Sequence, residues 1–395
     1  MKLLKIRACG IPLFRDTCEI DFLALQRVTA EDAESMSTAF TAGAQAFTQN
    51  NVLAMIGINA SGKTTVLKLI TFVCRMLNQE PLNRIDCAEI FDGLEENQCA
   101  TLETYFYANS SATFLPAGGK AINLLKTVIS KKEDKLLIVY ETLQTKAITA
   151  ELRKKNVLDF EHVEINLSRQ FNEYLLDDVS IMVAFNKRNN EQILVSDMLQ
   201  YTNVNQLYLA EDCPLELIAF FDPSIEYLSC KKENKDISIR LKFKEKRELV
   251  LNQFSDLNRY LSSGTIKGIN TFLKAMNAFK TGGYLIVDEL ENHFNREIVS
   301  TLIRLFMDRT VNRTGAMLIF STHYPELLDE FERNDNIYII RNRKGVSIEN
   351  LSNLLKRNDI KKSEAYQSGL LEGTAPMYEA YMALKKSLIR TGREG

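Results

Sequence analysis

A lysine and a threonine close the stretch Gly57-Ile58-Asn59-Ala60-Ser61-Gly62-Lys63-Thr64, a spacing suited to capturing a polyphosphate. Glycines let backbone N–H groups approach an anion, and a helix starting there adds the positive end of its dipole. Gly57, Asn59, Ala60, Ser61 and Gly62 would wrap the phosphates, with Thr65 beside them. Lys63 would set a point charge at the β- and γ-groups, and the Thr64 hydroxyl suits Mg²⁺. Two further apolar runs end on residues able to act on a bound triphosphate. Tyr284-Leu285-Ile286-Val287 runs into Asp288-Glu289, the first acid placed to support Mg²⁺ and the second to take a proton from attacking water. Adjacent carboxylates at the end of a buried run call for a cation. Ile319-Phe320-Ser321-Thr322 runs into His323, one of three histidines (162, 293, 323), where an imidazole could face the γ-phosphate. Finally, Leu261-Ser262-Ser263-Gly264-Thr265 opens a helical pattern. By themselves these residues read as a helix cap. Their place just before the acidic run suits a second phosphate-facing helix start, with Ser262, Ser263 and Gly264 in contact.

Regular elements must hold these groups. Residues 52–56 are short, wholly apolar and preceded by Asn50-Asn51, the pattern of a buried parallel strand. Val66, Leu67, Ile70, Val73 and Leu77 then recur at helical steps. Residues 284–287, 316–320 and 337–340 are further buried strands separated by helical patterns, as in a parallel sheet. Before the phosphate loop, residues 3–8 and 18–22 read as strands around Gly10-Ile11-Pro12, and residues 26–49 as a surface insertion with a short helix after Thr29-Ala30-Glu31-Asp32. Residues 101–108 and 136–142 suggest an antiparallel layer. Residues 146–214 read as a mainly helical insertion, from patterns such as Val157-Leu158-Phe160 and Phe171-Tyr174-Leu175. Its basic clusters, Arg153-Lys154-Lys155 and Lys187-Arg188, lack interleaved aromatics and read as a solvated face. Residues 215–227 form an apolar helix ending near Asp222-Pro223, residues 237–243 a half-buried strand, and residues 379–389 a helix for packing or for a partner. The expected fold is α/β: a P-loop NTPase with a mixed, mainly parallel sheet, an antiparallel β layer and a helical insertion. Its parts are residues 1–145, 146–214 and 215–395.

Composition narrows the function classes. The chain of 395 residues is 45% apolar and 25% charged with a formal net charge of −2, which argues against binding DNA through its whole surface. Charges among the first seven residues break any signal-peptide core, and no run approaches the ~20 apolar residues of a membrane span. A cytoplasmic protein without membrane contact is expected. The seven cysteines are scattered without C-x-x-C spacing and read as reduced, partly buried residues.

In order and placement, the segments 57–64, 261–265 and 284–289 with His323 resemble the ATP-binding-cassette class of P-loop ATPases. In detail the chain looks like the stand-alone ATPases related to RecF and to the heads of structural-maintenance-of-chromosomes proteins. It is similar to the ATPases of the overcoming-lysogenization-defect and abortive-infection phage-defence families. The features are Gly-x-Asn-Ala-Ser-Gly-Lys-Thr, the Ser-Ser-Gly-Thr signature, Asp288-Glu289-Leu290-Glu291-Asn292, and Ser321-Thr322-His323-Tyr324-Pro325-Glu326-Leu327. The likeness covers roughly the first 140 and last 150 residues. It implies a homodimer or higher homo-oligomer in which two copies sandwich two ATPs, one giving the phosphate loop and the other the signature. Lys63 and Thr64 would then bind phosphate and Mg²⁺, Asp288 would support the metal, Glu289 would be the catalytic base and His323 would touch the γ-phosphate. Ser262 and Gly264 would grip the partner's nucleotide. Two departures stand out: the nearest glutamine-loop candidate is Gln98, and Asn295 falls where related sequences often carry a histidine. The function implied is a Mg-ATPase regulating an effector, a nuclease or toxin encoded nearby, in defence against phage. The alternatives are a repair or chromosome-associated head ATPase (which leaves nucleic-acid contact open), a transporter's nucleotide-binding subunit, and a non-catalytic nucleotide-binding scaffold. The transporter is disfavoured by the long insert, the chromosome head by the absence of sustained heptads, and the scaffold by Glu289.

Overall fold

The computed structural model describes residues 1–111, 114–115, 118–169, 175–199, 207, 209, 212–233, 236–292, 294–371 and 378–391. β1 (Lys2–Cys9) and β2 (Cys18–Asp21) pair antiparallel. The stretch expected to be a surface insertion folds instead as a hairpin, β3 (Met36–Ala42) and β4 (Gln45–Asn50), after a single 3₁₀ turn at Asp32–Glu34. A register shift between Thr38 and Phe40 breaks the two-residue alternation that would have announced it. A lone hairpin is marginal in water. Here Phe40 and Phe47 stack 4.6 Å apart and share a core with Leu4, Ile122 and Leu124.

β5 (Val52–Ile56) is buried on both faces and leads through the glycine loop into α1 (Lys63–Leu77). β6 (Cys99–Ser110), β7 (Gly119–Lys132) and β8 (Lys135–Ala147) form a long antiparallel meander. β7 was not expected from sequence: residues 121–125 are all buried, so no alternation marks them. The segment 146–214 is less helical than expected. Its described residues hold β9 (Ile165–Ser168), α2 (Met182–Asn189) and β10 (Val195–Asp197), while Phe171 and Tyr174 lie outside the described residues. Of its basic clusters, Lys154 donates to the carbonyls of Ala24 and Gln26, and Arg188 covers the Phe114 ring.

α3 (Leu215–Phe221) stops at Asp222-Pro223, where the helix was expected to end, and residues 225–227, read with that helix, instead open β11 (Ile225–Glu233). β12 (Asp236–Phe243) and β13 (Leu249–Leu251) complete a small antiparallel sheet. Then come α4 (Ser263–Thr281), β14 (Tyr284–Val287), α5 (Arg296–Met307), β15 (Met317–Thr322), β16 (Ile337–Asn342) and β17 (Val346–Asn350). The short helices α6 (Leu351–Leu354) and α7 (Lys362–Gln367) precede α8 (Tyr378–Thr391).

Two six-stranded sheets organise the molecule. One runs β2-β1-β6-β7-β8-β9, antiparallel throughout; the other runs β10-β14-β15-β5-β16-β17, parallel except for β17. In the second, Leu53, Met55, Ile286 and Ile319 face α1 and the antiparallel sheet. Val52, Ala54, Leu285, Leu318 and Phe320 face the opposite way, toward α4 and α5. Both faces are thus covered, which is why these strands read as continuous apolar runs. Five of the seven cysteines are buried and none is in a disulfide. Among the described residues no helix is long and apolar enough to cross a membrane.

Candidate nucleotide site

Neighbouring parallel strands bring the site together. β14, β15 and β5 lie side by side in register, so their carboxyl ends share one edge. Off that edge come Asp288 and Glu289, then His323, then the glycine loop. Residues 59–65, Glu289 and His323 line a cavity of about 640 Å³ together with Pro12, Leu13, Asn342, Gly345 and Val346. The loop keeps its shape through unusual backbone. Ala60 (φ +59°) and Gly62 (φ +98°) are left-handed, and a Cβ on Gly62 would run into Val346. The Asn342 amide donates to the Ala60 carbonyl at 3.1 Å, tying the loop to the end of β16.

The Lys63 ammonium donates to the carbonyls of Gly57 (2.9 Å) and Ile58 (3.3 Å) and lies 3.2 Å from His323 Nδ1. An ammonium has donors only, so Nδ1 accepts and the neutral ring carries its proton on Nε2. That nitrogen faces Glu289 Oε1 at 3.6 Å, just beyond hydrogen-bond reach. Burial holds Lys63 below the ordinary lysine value, opposed by the charges of Asp288, Glu291 and Glu289. A buried ammonium whose main partners are carbonyls is poised to gain from an added anion.

Thr64 Oγ1 donates to Asp288 Oδ2 at 2.7 Å, and Ser321 Oγ donates to Asp288 Oδ1. The Ser321 oxygen also accepts from the Glu289 amide at 2.7 Å. Glu289 itself has φ +48°, a left-handed backbone rare outside glycine. A hydroxyl beside a buried carboxylate is a hard-oxygen donor set that fits Mg²⁺, which completes its shell with phosphate oxygens and water. Among the described residues no cluster of three or more His, Cys, Asp or Glu would cage a metal by itself. The buried Ser61 hydroxyl oxygen has no partner among the described residues, as fits a loop built around an anion.

The remaining expected residues lie elsewhere. Ser262 caps α4, its Oγ accepting from the Thr265 amide at 3.0 Å, and neither it nor Ser263 nor Gly264 lines the cavity. One turn on, Lys267 is buried and held below the ordinary lysine value by that burial, within reach of the Glu289 charge. Gln98 closes a local turn on Glu95 and does not line the cavity. On the side away from β15, β14 pairs with β10, and the glutamine that follows β10, Gln200, lies outside the described residues. Asn295 caps α5, accepting from Ile298 N at 2.9 Å, and His293 also lies outside the described residues. The sequence gives no role to Asn342, Leu13, Gly345 and Val346, which no motif or spacing marks, and marks Pro12 only as part of a turn. Ser321 and Glu291 fall inside the motifs at 321–327 and 288–292, which assign them no role of their own.

Fold and site together define a P-loop nucleotide-binding protein. Residues 52–329 match the family model described as "AAA domain, putative AbiEii toxin, Type IV TA system", which spans most of the chain from the phosphate-loop strand to beyond His323. The chain therefore belongs to this family of AAA-type P-loop ATPases, associated with toxin–antitoxin and abortive-infection systems. No curated protein matches the chain at a significant level.

Proposed function

We propose that this chain is a Mg²⁺-dependent ATPase whose ATP-bound form pairs two copies and controls a partner effector. The observation that carries the reading is the convergence of Lys63, the Thr64–Asp288 pair, Glu289 and His323 on one strand edge. Lys63 exchanges its loop carbonyls for the β- and γ-phosphates, and Thr64 and Asp288 hold the metal. Bound Mg²⁺ supplies charge neutralisation on the phosphates. Glu289 accepts a proton from water attacking the γ-phosphorus, while the bond from that phosphorus to the β–γ bridging oxygen breaks, releasing ADP and phosphate. His323 contacts the γ-phosphate.

Ser262, Ser263 and Gly264 act across a dimer on the partner copy's nucleotide, which accords with their absence from the cavity lining in a single chain. Residues 1–145 and 215–395 form the ATPase around the 146–214 insert, which lends β10 to the sheet. The family's toxin–antitoxin context supports an effector of nuclease or toxin type. The direct test is calorimetry of ATP binding. Lys63→Ala removes a charge-assisted contact of roughly 1.5–3 kcal/mol and should weaken affinity about tenfold or more. Equal affinity in variant and wild type would remove Lys63, and with it this reading, from the site.

A further inference from the structure

We propose that Glu291 is a positioning residue that fixes the switch histidine, His323, relative to Glu289. The inference rests on the ATPase reading for its consequence in turnover, but its geometry stands in the nucleotide-free protein. Glu291 is only 8% exposed and does not line the cavity, so it is not placed to touch substrate. Its Oε1 accepts from the His323 backbone amide at 2.6 Å, and its Oε2 is buried with no partner among the described residues. A buried carboxylate is costly unless it is bonded. Among the described residues this one accepts from a single amide, the first after β15 ends at Thr322, where the chain leaves the ladder and the imidazole departs.

The placement links two functional groups. Glu289 and Glu291 sit two residues apart on one loop, so the loop that carries the base also grips the backbone of the histidine. The His323 ring spans the gap between Lys63 (3.2 Å) and Glu289 (3.6 Å). Without the Oε1 bond, the ties that remain among the described residues between this loop and β15 are the Glu289 and Leu290 amides on Ser321, two residues before the histidine. Misplacement of a reacting group by about 1 Å can cost on the order of a hundredfold in rate.

The test uses the full-length chain, ¹⁵N-labelled at histidine. Three imidazoles give few enough signals to assign with a His323→Gln reference. Glu291→Met keeps the volume and removes the acceptor, and Glu291→Gln keeps an acceptor oxygen. Glu291→Ala replaces the methionine variant if that chain does not fold, as judged by its melting temperature. In the nucleotide-free protein His323 should show the tautomer protonated at Nε2. The methionine variant should shift or broaden those signals, and the glutamine variant should preserve them. In turnover the methionine variant should lose roughly ten- to a hundredfold in kcat with ATP affinity within about threefold, and the glutamine variant should recover most of it. Unchanged His323 signals in the methionine variant overturn the proposal. So does a glutamine variant as impaired as the methionine one, since charge and not the bond would then matter. If the wild type turns over no ATP, the ATPase reading fails, and the histidine spectra still decide the role of Glu291.

Discussion

At the scale of residues, the site combines groups that favour one state with groups held against their preference. Glu289 occupies left-handed backbone, which costs on the order of 1–3 kcal/mol for a non-glycine residue and persists only where its surroundings impose it. Contacts on both sides hold it: the Ser321 hydroxyl takes the Glu289 amide and gives its own proton to Asp288, and the Glu289 carbonyl accepts from the Asn292 amide at 2.8 Å. A buried carboxylate away from the site gives a test of linkage. Glu141 in β8 accepts from Thr127 Oγ1 (2.9 Å), Ser180 Oγ (2.7 Å) and the Ile181 amide (2.7 Å). Burial pushes its carboxyl above the ordinary value of 4.5 despite those bonds. The folded chain therefore holds this proton more tightly than the unfolded chain. Its contribution is fully present below the unfolded value and is lost as the pH rises through the folded one. Glu141→Gln has nothing to titrate there. The wild-type melting temperature, measured relative to that variant, should fall as pH is raised from about 4 to 7. A difference that stays constant across the series would show that Glu141 titrates alike folded and unfolded.

At the scale of elements, packing decides where propensity alone would mislead. Gly268 lies inside α4, where alanine would gain about 1 kcal/mol in helix propensity. A methyl group there overlaps the Phe221 ring, and that ring is wedged against Phe220 and Phe272 with centroids 5.2 Å from each. Overpacking typically costs about 1–3 kcal/mol, so the clash should win. Gly268→Ala is expected to lower the melting temperature, and a rise would mean that α3 yields freely. The same competition explains what the sequence revealed. The strands β5, β14 and β15 were legible because burial on both faces leaves unbroken apolar runs, and the site residues sit on their ends. Residues 121–125 of β7 are buried on both faces too, but inside an antiparallel meander, where alternation is the usual mark of a strand. The β3–β4 hairpin was hidden by its bulge, and β10 by its length of three residues. Asn342 and Val346 reach the cavity through tertiary packing of β16 and β17, for which spacing along the chain carries no signal.

At the scale of the molecule, the proposed dimer makes its own prediction. Glu289→Gln keeps the shape of the proposed base and removes its proton-accepting power, an expected loss of ~10²–10⁴-fold in rate. ATP that binds the paired form preferentially should then trap it. Sedimentation of the variant should show a dimer with Mg-ATP and less of it with ADP or without nucleotide. One assembly state under all three conditions would remove ATP as the agent of pairing. Mixing Ser262→Arg with Lys63→Ala chains tests the shared site, because each hybrid dimer keeps one site with both halves wild-type. Hybrids should regain turnover that neither variant has alone, and demonstrated hybrids without it would refute site-sharing.

The order of strands also sets a timetable for synthesis. The antiparallel strands β1, β2, β6, β7 and β8 pair among themselves within the first 147 residues and can assemble early. β5 cannot, because its two neighbours, β15 and β16, are encoded far downstream, at Met317–Thr322 and Ile337–Asn342. At about 5–20 residues per second, the growing chain carries β5 without a partner strand for on the order of 15–60 s. Through that interval an apolar strand and its glycine loop have neither β15 nor His323 beside them. A nascent chain therefore gains its complete pocket lining only after Val346 has been made, and a product stopped before β15 lacks both strands that flank the loop.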